Sequence, residues 1–303
     1  MVSIIVFSKG RPMQLHAYLE SLLFYSEVKQ EMITVLYCEM DGICYDRVQG
    51  EYPNVHWMKE RRFEEDLKHV LANADEYIMF GCDDVVFVRD FSLKKACDYL
   101  DTHEEVFGFS MRLGENITPC PLNDVSDVPD IFEWKWEGCT ENRYNYPWEL
   151  DCTVYRKEDV VQLTMEEELP IKNPNYYEAM VNPDNISRRI QRKYLASYKR
   201  YGCAVVITVN RVQDTHPNGY DDSLRTDIYT LNRLYNEEDN TLDIEKISQL
   251  KTNQIHVESE FFILRKPVKG YSRCTFLKKR VRGFWQKVMK LPIRIQRHID
   301  RQK

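Results

Sequence analysis

The chain has 303 residues, of which 43% are hydrophobic and 30% are charged, and its formal net charge is −6. This composition excludes an intrinsically disordered chain and supplies a core for one large domain or two small ones. The sequence contains no apolar run of about 18 residues, so we expect no membrane-spanning helix.

The first third of the chain alternates apolar strands with helices. The predicted elements are strands over 4–7, 33–38, 55–58 and 76–82, a helix that Pro12 opens, and a helix over 63–74. Strands that are apolar throughout and separated by helices are typical of a parallel sheet with helices on both faces. The sequence therefore predicts an α/β fold.

The pattern is less regular beyond residue 84. We predict helices over 92–100 and 220–235 and from residue 173, and strands over 106–111, 150–155 and 204–209. A long polar loop over 114–145 has room for a hairpin, and the tryptophans there and at 148 either pack in the core or stack on sugars. We predict a catalytic domain over 1–220 with halves 1–100 and 101–220, a helical extension over 221–270 and a basic tail over 271–303.

The nine cysteines form no CxxC pair, and several lie in apolar runs. Scattered cysteines of this kind are typical of reduced, buried thiols, and a disulfide scaffold would be shorter and denser in cysteine. The N-terminus lacks the basic flank of a signal peptide. We therefore expect a cytoplasmic protein.

Acidic residues follow the strands whose carboxyl ends meet at one edge of the predicted sheet. Asp41 comes shortly after the strand 33–38, and Asp83 and Asp84 directly follow 76–82. Ligands of open parallel sheets bind at this edge, but the chain has neither GxGxxG nor GxxxxGK[ST] to hold phosphates. A divalent cation, Mn²⁺ or Mg²⁺, held by carboxylates would neutralise a diphosphate instead. We predict that one of the paired aspartates ligates this cation and that the other binds a ribose hydroxyl.

The runs 4–12 (IIVFSKGRP) and 77–85 (YIMFGCDDV), with Asp41 between them, resemble the nucleotide-binding half of GT-A glycosyltransferases. The resemblance is greatest to the large family-two-like group of bacterial nucleotide-sugar transferases. It implies a GT-A type fold with a Rossmann-like, mostly parallel sheet. It also implies that Asp41 contacts the nucleobase, Asp83 the ribose or sugar, and Asp84 the metal. Ser8 and Arg11 are predicted to bind the nucleotide-sugar as well.

Three further runs, 146–151 (YPWELD), 173–178 (NPNYYE) and 209–216 (VNRVQDTH), resemble the acceptor half of these enzymes more loosely. Direct displacement at an anomeric carbon needs one carboxylate as general base for the acceptor hydroxyl. We predict Glu178 for this role, with Asp151 as the alternative. The resemblance implies an inverting reaction and suggests that His216 completes the metal shell.

The segment 271–303 is strongly basic and is predicted to form an amphipathic helix. It holds eleven lysine and arginine residues and one acid, so the first 270 residues carry all of the net negative charge. Lys278, Lys279 and Arg282 alternate with Phe284 and Trp285 in a pattern typical of membrane-surface helices. We expect this helix to bind the inner face of a membrane, although its apolar face could equally dock on the protein. Nucleic acid is disfavoured as a partner because the body is acidic.

These patterns favour a glycosyltransferase that transfers a sugar to a glycan or lipid-linked acceptor in surface polysaccharide or glycolipid biosynthesis. One alternative is a nucleotidyltransferase, which also uses a parallel sheet and a carboxylate-held cation. Such enzymes need a glycine-rich N-terminal loop, and only Gly10 stands there. The other alternative is a non-catalytic sugar-nucleotide-binding or scaffold protein with the same fold, which would account for Cys82 where the family often has an acid.

Overall fold

The computed structural model describes residues 1–121, 123–141, 143–165, 170–181, 183–210, 212 and 227–266. The chain separates into one compact unit over Met1–Arg265 and a second over Lys266–Lys303. Nearly all of the second unit, including the predicted basic helix, lies outside the described residues.

The first part of the chain alternates strands with helices, as predicted. Its elements are β1 (Val2–Lys9), α1 (Pro12–Tyr25), β2 (Ile33–Cys38), α2 (Asp46–Glu51), β3 (His56–Lys59), α3 (Phe63–Ala72), β4 (Tyr77–Cys82), β5 (Val85–Phe87) and α4 (Leu93–Thr102). The bounds of the predicted elements lie within a few residues of those expected, whereas α2 and β5 were not predicted.

The remaining elements combine helices with shorter strands. They are β6 (Val106–Ser110), β7 (Ile131–Lys135), β8 (Thr153–Arg156), α5 (Lys157–Met165), α6 (Pro174–Met180), α7 (Pro183–Arg189), β9 (Tyr194–Tyr198), β10 (Ala204–Ile207), α8 (Ile228–Asn236), β11 (Thr241–Leu242), α9 (Ile244–Gln249), β12 (His256–Val257) and β13 (Leu264–Arg265). The segment predicted as a helical extension thus also contains strands, and its residues 227–265 belong to the same compact unit as β1.

Eight strands form the main sheet in the order β3-β2-β1-β4-β8-β6-β9-β7. The strands β3, β2, β1 and β4 are parallel. Strand β8 pairs antiparallel with its two neighbours, β4 and β6. Strand β6 pairs parallel with β9, and β7 lies at the end of the sheet, antiparallel to β9. The predicted α/β class is confirmed, and its parallel part is continuous through the four strands nearest the N-terminus.

Both faces of the sheet are buried, as the unbroken apolar run of β1 requires. Alternate residues of β1 point to opposite faces. Ile4 and Val6 pack with Leu15 and Leu19 of α1. Ile5 packs on the other face, in one cluster with the apolar residues of α3 and α5. This three-layer packing holds the carboxyl ends of the parallel strands at one rigid edge.

A smaller sheet of three strands lies in the order β12-β10-β5. Strand β5 begins at Val85, directly after Asp84, and pairs antiparallel with β10, which pairs parallel with β12. The residues of the C-terminal part of the chain are thereby brought beside the paired aspartates.

Candidate active site

A chain of hydrogen bonds connects the ends of β1 and β4 with the loop after β2. The backbone N–H of Arg11 donates to the Tyr45 hydroxyl at 3.2 Å, and Tyr45 Oη lies 2.8 Å from Ser8 Oγ. Ser8 Oγ donates to Oδ2 of Asp83 at 2.8 Å. The one hydroxyl proton of Ser8 is used on the carboxylate, so Tyr45 donates to Ser8. This series of hydrogen bonds ends on the Asp83 carboxylate, and the negative charge there strengthens each bond in the series. Tyr45 was not predicted as a site residue.

Arg11 forms ion pairs with both adjacent aspartates. Its guanidinium contacts Asp83, and its Nη1 lies 3.0 Å from Oδ2 of Asp84. Burial alone would lower the pKa of Arg11, but the two carboxylates outweigh burial and raise it above its usual range. The guanidinium is therefore a permanent positive charge at the edge where a diphosphate would lie.

The two aspartates have different environments. Asp83 is fully buried, whereas the side chain of Asp84 is 18% exposed. Burial raises the pKa of Asp83 from 3.8 to about 6, the charge of Arg11 opposes this rise, and Asp84 adds to it. The two adjacent acids thus have different roles: Asp83 is held within the protein, and Asp84 reaches the exposed edge of the sheet.

Asp41 lies exposed in the loop after β2, at the same edge of the sheet. Helix α8 holds this loop, because Asn232 accepts a hydrogen bond from the Cys44 N–H at 3.3 Å and donates to the Gly42 carbonyl at 3.2 Å. Tyr229 of α8 is 55% exposed, and a methyl group built on Gly42 would lie 3.9 Å from its Cε1 atom. An aromatic ring therefore stands beside the predicted nucleobase loop, which sequence reasoning did not anticipate.

A second acidic cluster surrounds Arg112. This guanidinium contacts Glu149, and its Nη1 lies 3.0 Å from Oδ2 of Asp151. Burial lowers the pKa of Arg112, but the two carboxylates outweigh burial and raise it overall. Glu178 lies at the same place, because Oε2 of Glu178 accepts a hydrogen bond from the Leu150 N–H at 3.2 Å.

Glu178 is positioned by the start of α6. The side chain of Asn173 caps this helix by accepting from the Tyr176 N–H at 2.8 Å, and Pro174 occupies its first turn. Burial raises the pKa of Glu178 from 4.5 to about 7, Asp151 and Glu149 add to the rise, and Arg112 opposes it. A carboxylate with this pKa is suited to accept a proton near neutral pH.

Cys82 lies between the two acidic groups. It directly precedes Asp83, and its Sγ lies 3.9 Å from the Leu150 carbonyl oxygen. Burial raises the pKa of the Cys82 thiol, and the charges of Asp151 and Asp84 raise it further. A neutral thiol here avoids another negative charge between two groups of acids, which is a physical reason for cysteine at this position.

His256 joins the site from a distant part of the sequence. It lies opposite Val206 in the β10–β12 pair, and Val206 lies opposite Val85 of β5. Residues at one register position point to the same side of a sheet, so His256 projects on the side of Val85. Partial desolvation lowers the pKa of His256, the charge of Arg112 lowers it further, and Asp151 and Asp84 oppose this. No motif around residue 256 marked it in the sequence.

Three further sets of residues considered from the sequence contribute no described side chain to the site. His216, the predicted additional metal ligand, lies outside the described residues, as do Lys278, Lys279, Arg282, Phe284 and Trp285. The tryptophans considered as sugar platforms are all at most 1% exposed and belong to the core, namely Trp134, Trp136 and Trp148. Of the two roles considered for these rings, packing in the core is confirmed and stacking on an acceptor is excluded.

Two features are absent from the described ranges. These ranges contain no group of three or more histidine, cysteine, aspartate or glutamate side chains arranged to hold a metal ion. Within the same ranges, no helix combines the length and apolarity needed to cross a membrane.

Comparison with known proteins identifies one curated relative, and no protein-family model matches the chain. The sequence is 30% identical over 263 residues to the bifunctional glycosyltransferase pgtA of Dictyostelium discoideum. The match covers 75% of this chain and 34% of that protein, so the chain spans about a third of its relative's length. The chain is thus related by sequence to a glycosyltransferase, which confirms the resemblance predicted above.

The solved structures with similar folds are more distant. S. aureus TarS has a TM-score of 0.44 at 14% identity, covering 66% of this chain and 36% of that one. The structure of TarS 1-349 in complex with UDP-GlcNAc has a TM-score of 0.42 at 13% identity, and the match covers 72% of this chain and 62% of that one. The mannosyltransferase PcManGT from Pyrobaculum calidifontis, in complex with GDP-Man and Mn²⁺, has a TM-score of 0.38 at 11% identity. The match covers 66% of this chain and 54% of that one.

Proposed function

We propose that this chain is a glycosyltransferase that moves a sugar from a nucleotide-sugar donor to a hydroxyl of a glycan or lipid-linked acceptor. The observation that carries the proposal is the arrangement of two acid groups joined through Cys82. One group is the aspartate pair with Arg11 at the sheet edge, and the other contains Glu178 with a pKa of about 7. The sequence relationship to a glycosyltransferase supports it.

The donor lies along the carboxyl ends of β1, β2 and β4 in this proposal. Asp41 contacts the nucleobase from the exposed loop. Asp83, proposed for the ribose or sugar, is buried beneath Ser8 and Arg11 and would act on the sugar through these two residues. Ser8 holds Asp83 through its 2.8 Å hydrogen bond. Arg11 offsets part of the negative charge of Asp83 and Asp84, so the diphosphate needs the further positive charge of a cation at this edge.

Asp84 fits the requirements of a divalent cation. Mn²⁺ and Mg²⁺ bind to one or two carboxylates and complete their coordination with substrate phosphates and water. Asp84 is partly exposed and its ion pair with Arg11 is made through Oδ2. Its other oxygen is available to a cation that, when bound, would stabilise the charge of the departing diphosphate. We propose His216 as a further ligand.

Glu178 serves as the general base. It accepts the proton of the acceptor hydroxyl as that oxygen attacks the anomeric carbon, and the bond between this carbon and the diphosphate oxygen breaks with its electron pair leaving on the diphosphate. Attack opposite to the leaving group inverts the configuration of the sugar. Asp151 is less suited to this role because it is ion-paired with Arg112 at 3.0 Å.

Thermal unfolding with a panel of UDP-, GDP-, CMP- and dTDP-sugars, with and without Mn²⁺, tests the proposal. A donor at 100 times its dissociation constant stabilises the chain by about 2.7 kcal/mol, so one nucleotide class should raise the melting temperature in a Mn²⁺-dependent manner. The free sugars are the control. Folded protein whose melting temperature rises with none of these donors would contradict the proposal.

We further propose that the segment 271–303 binds the inner face of a membrane, where the chain would be a cytoplasmic, peripheral enzyme of surface polysaccharide or glycolipid synthesis. The support is the excess of basic residues around Phe284 and Trp285. The full chain should sediment with vesicles containing phosphatidylserine and not with pure phosphatidylcholine vesicles. Charge reversal at Lys278, Lys279 and Arg282 should abolish this binding, and retained binding in that variant would refute the role of these residues.

A further inference from the structure

An open cleft of about 780 Å³ lies beside the small sheet, and neither the sequence patterns nor the relative assigns it a ligand. Its walls include Arg89, Tyr201, Lys251, His256 and Glu258. The volume is within the range of about 300–1,000 Å³ that is usual for ligand pockets. The cleft is therefore large enough for an organic ligand and not only for an ion.

The cleft opens next to the candidate active site. His256 in its wall lies two strands from Val85, the residue after Asp84, through the pairs Val85–Val206 and Val206–His256. Neighbouring strands are about 4.8 Å apart, so this places the backbone of His256 about 10 Å from that of Val85. The influence of Asp151 and Asp84 on the His256 imidazole is consistent with this placement. A ligand in the cleft would therefore have one end at His256, two strands from the residue that follows Asp84.

Tyr201 offers an aromatic surface within the cleft. It is 49% exposed, in contrast to the tryptophans, and the guanidinium carbon of Arg89 lies 4.4 Å from its ring centre. Such a contact holds the ring in place and leaves half of the residue open. An exposed ring held in place among hydrogen-bonding side chains suits a ligand with an apolar face and polar edges, which is the character of a pyranose ring.

The charges of the cleft are nearly balanced. Arg89 and Lys251 contribute positive charge, and Glu258 and Glu260 contribute negative charge. A site for a polyanion would have an excess of basic side chains. The mixture of charged groups with Asn253 and Gln254 provides donors and acceptors for hydroxyl groups.

We propose that this cleft is the acceptor subsite and that it binds an uncharged oligosaccharide, with one sugar ring stacked on Tyr201. The inference rests on the proposed function, because it names the acceptor of the same reaction. The residues 201 and 251–261 would then set the acceptor specificity, whereas the sheet edge around Asp83 would bind the donor.

A glycan array tests the proposal with the full chain, labelled and saturated with the nucleoside diphosphate that stabilises it. The array carries lactose, N-acetyllactosamine, cellobiose, mannobiose and chitobiose, together with sialylated glycans and heparin fragments. We expect binding to a subset of the uncharged glycans. Tyr201→Ala should weaken this binding about tenfold, and Tyr201→Phe, which keeps the ring, should bind as the unmodified chain does.

Slow release of nucleoside diphosphate from the donor in the absence of acceptor separates the two proposals. Both Tyr201 variants should retain the unmodified rate, because Tyr201 does not contact the donor edge. Retained glycan affinity in Tyr201→Ala, binding restricted to charged glycans, or no glycan binding would each overturn the acceptor proposal. If instead the unmodified chain fails to bind or cleave any donor, the proposed function itself fails.

Discussion

Replacing Asp84 with asparagine should lower kcat by about 10²–10³-fold or more, because the variant keeps the shape of the side chain but loses the charge proposed to hold the cation at the departing diphosphate. The Mn²⁺-dependent rise in melting temperature with the donor should disappear as well. The fold should be retained, since Asp84 is partly exposed and Arg11 keeps its contact with Asp83. Steady-state release of nucleoside diphosphate measures the effect on kcat.

The matched control for this variant is Asp98→Asn. Asp98 lies on the surface of α4, where its side chain is 58% exposed and pairs with Lys94 at 2.7 Å. Surface pairs of this kind contribute little to stability, so this variant should keep the unmodified kcat and metal dependence. An Asp84→Asn enzyme with an unmodified kcat would exclude Asp84 as the metal ligand.

Replacing Glu178 with glutamine should lower kcat for transfer by about 10²–10⁴-fold, because the amide cannot accept the proton of the acceptor hydroxyl. Donor binding should be retained, since Glu178 lies in the other acid group. In the unmodified enzyme, transfer should increase as the pH rises through about 7, because the base acts in its deprotonated form. The pH profile of kcat/KM checks both expectations.

The stability of the unmodified chain should depend on pH in a defined direction that Glu178→Gln removes. The pKa of Glu178 is raised in the folded protein from 4.5 to about 7, so the folded state binds this proton more tightly than the unfolded state. The protonated Glu178 carboxyl therefore contributes its full share of stability below pH 4.5, and this contribution is lost as the pH rises through 7. Glutamine resembles the protonated acid, so Glu178→Gln should be at least as stable as the unmodified chain at pH 8. A variant that loses activity only because it unfolds would contradict the assignment.

Asp151→Asn distinguishes Glu178 from the alternative base. Asp151 pairs with the buried Arg112, so its replacement removes part of the compensation of a buried charge and should destabilise the fold. If Asp151 were the base, its replacement would abolish the pH dependence of transfer and Glu178→Gln would preserve it.

The parallel part of the fold was predictable because its signals are local. An apolar run such as Ile4–Phe7 has to be buried on both faces, and Pro12 opens a helix wherever it lies in the fold. The aspartates after β4 follow from the rule that ligands bind at the carboxyl ends of strands. The helix over 63–74 was predicted two residues too long at its C-terminal end.

The second half of the site depends on contacts between residues far apart in sequence, which no local pattern shows. Strand β8 inserts antiparallel between β4 and β6, and this places Asp151 beside Cys82. Arg112 binds Glu149 and Asp151, and His256 reaches the site only through two strand pairings. The sequence left open whether the tryptophans pack in the core or stack on sugars. The structure places them in the core, where Trp134 Nε1 donates to the Tyr144 carbonyl at 2.8 Å.

The measurement that tests the central claim most directly is the release of nucleoside diphosphate from a panel of nucleotide-sugars with Mn²⁺, compared between the unmodified chain and Asp84→Asn. The arrangement of Arg11, Asp83 and Asp84 predicts release from one nucleotide class by the unmodified chain and a loss of about 10²-fold or more in the variant. Equal release by both proteins, or binding of a donor that is never cleaved with or without an acceptor, would contradict a glycosyltransferase that acts through this edge of the sheet.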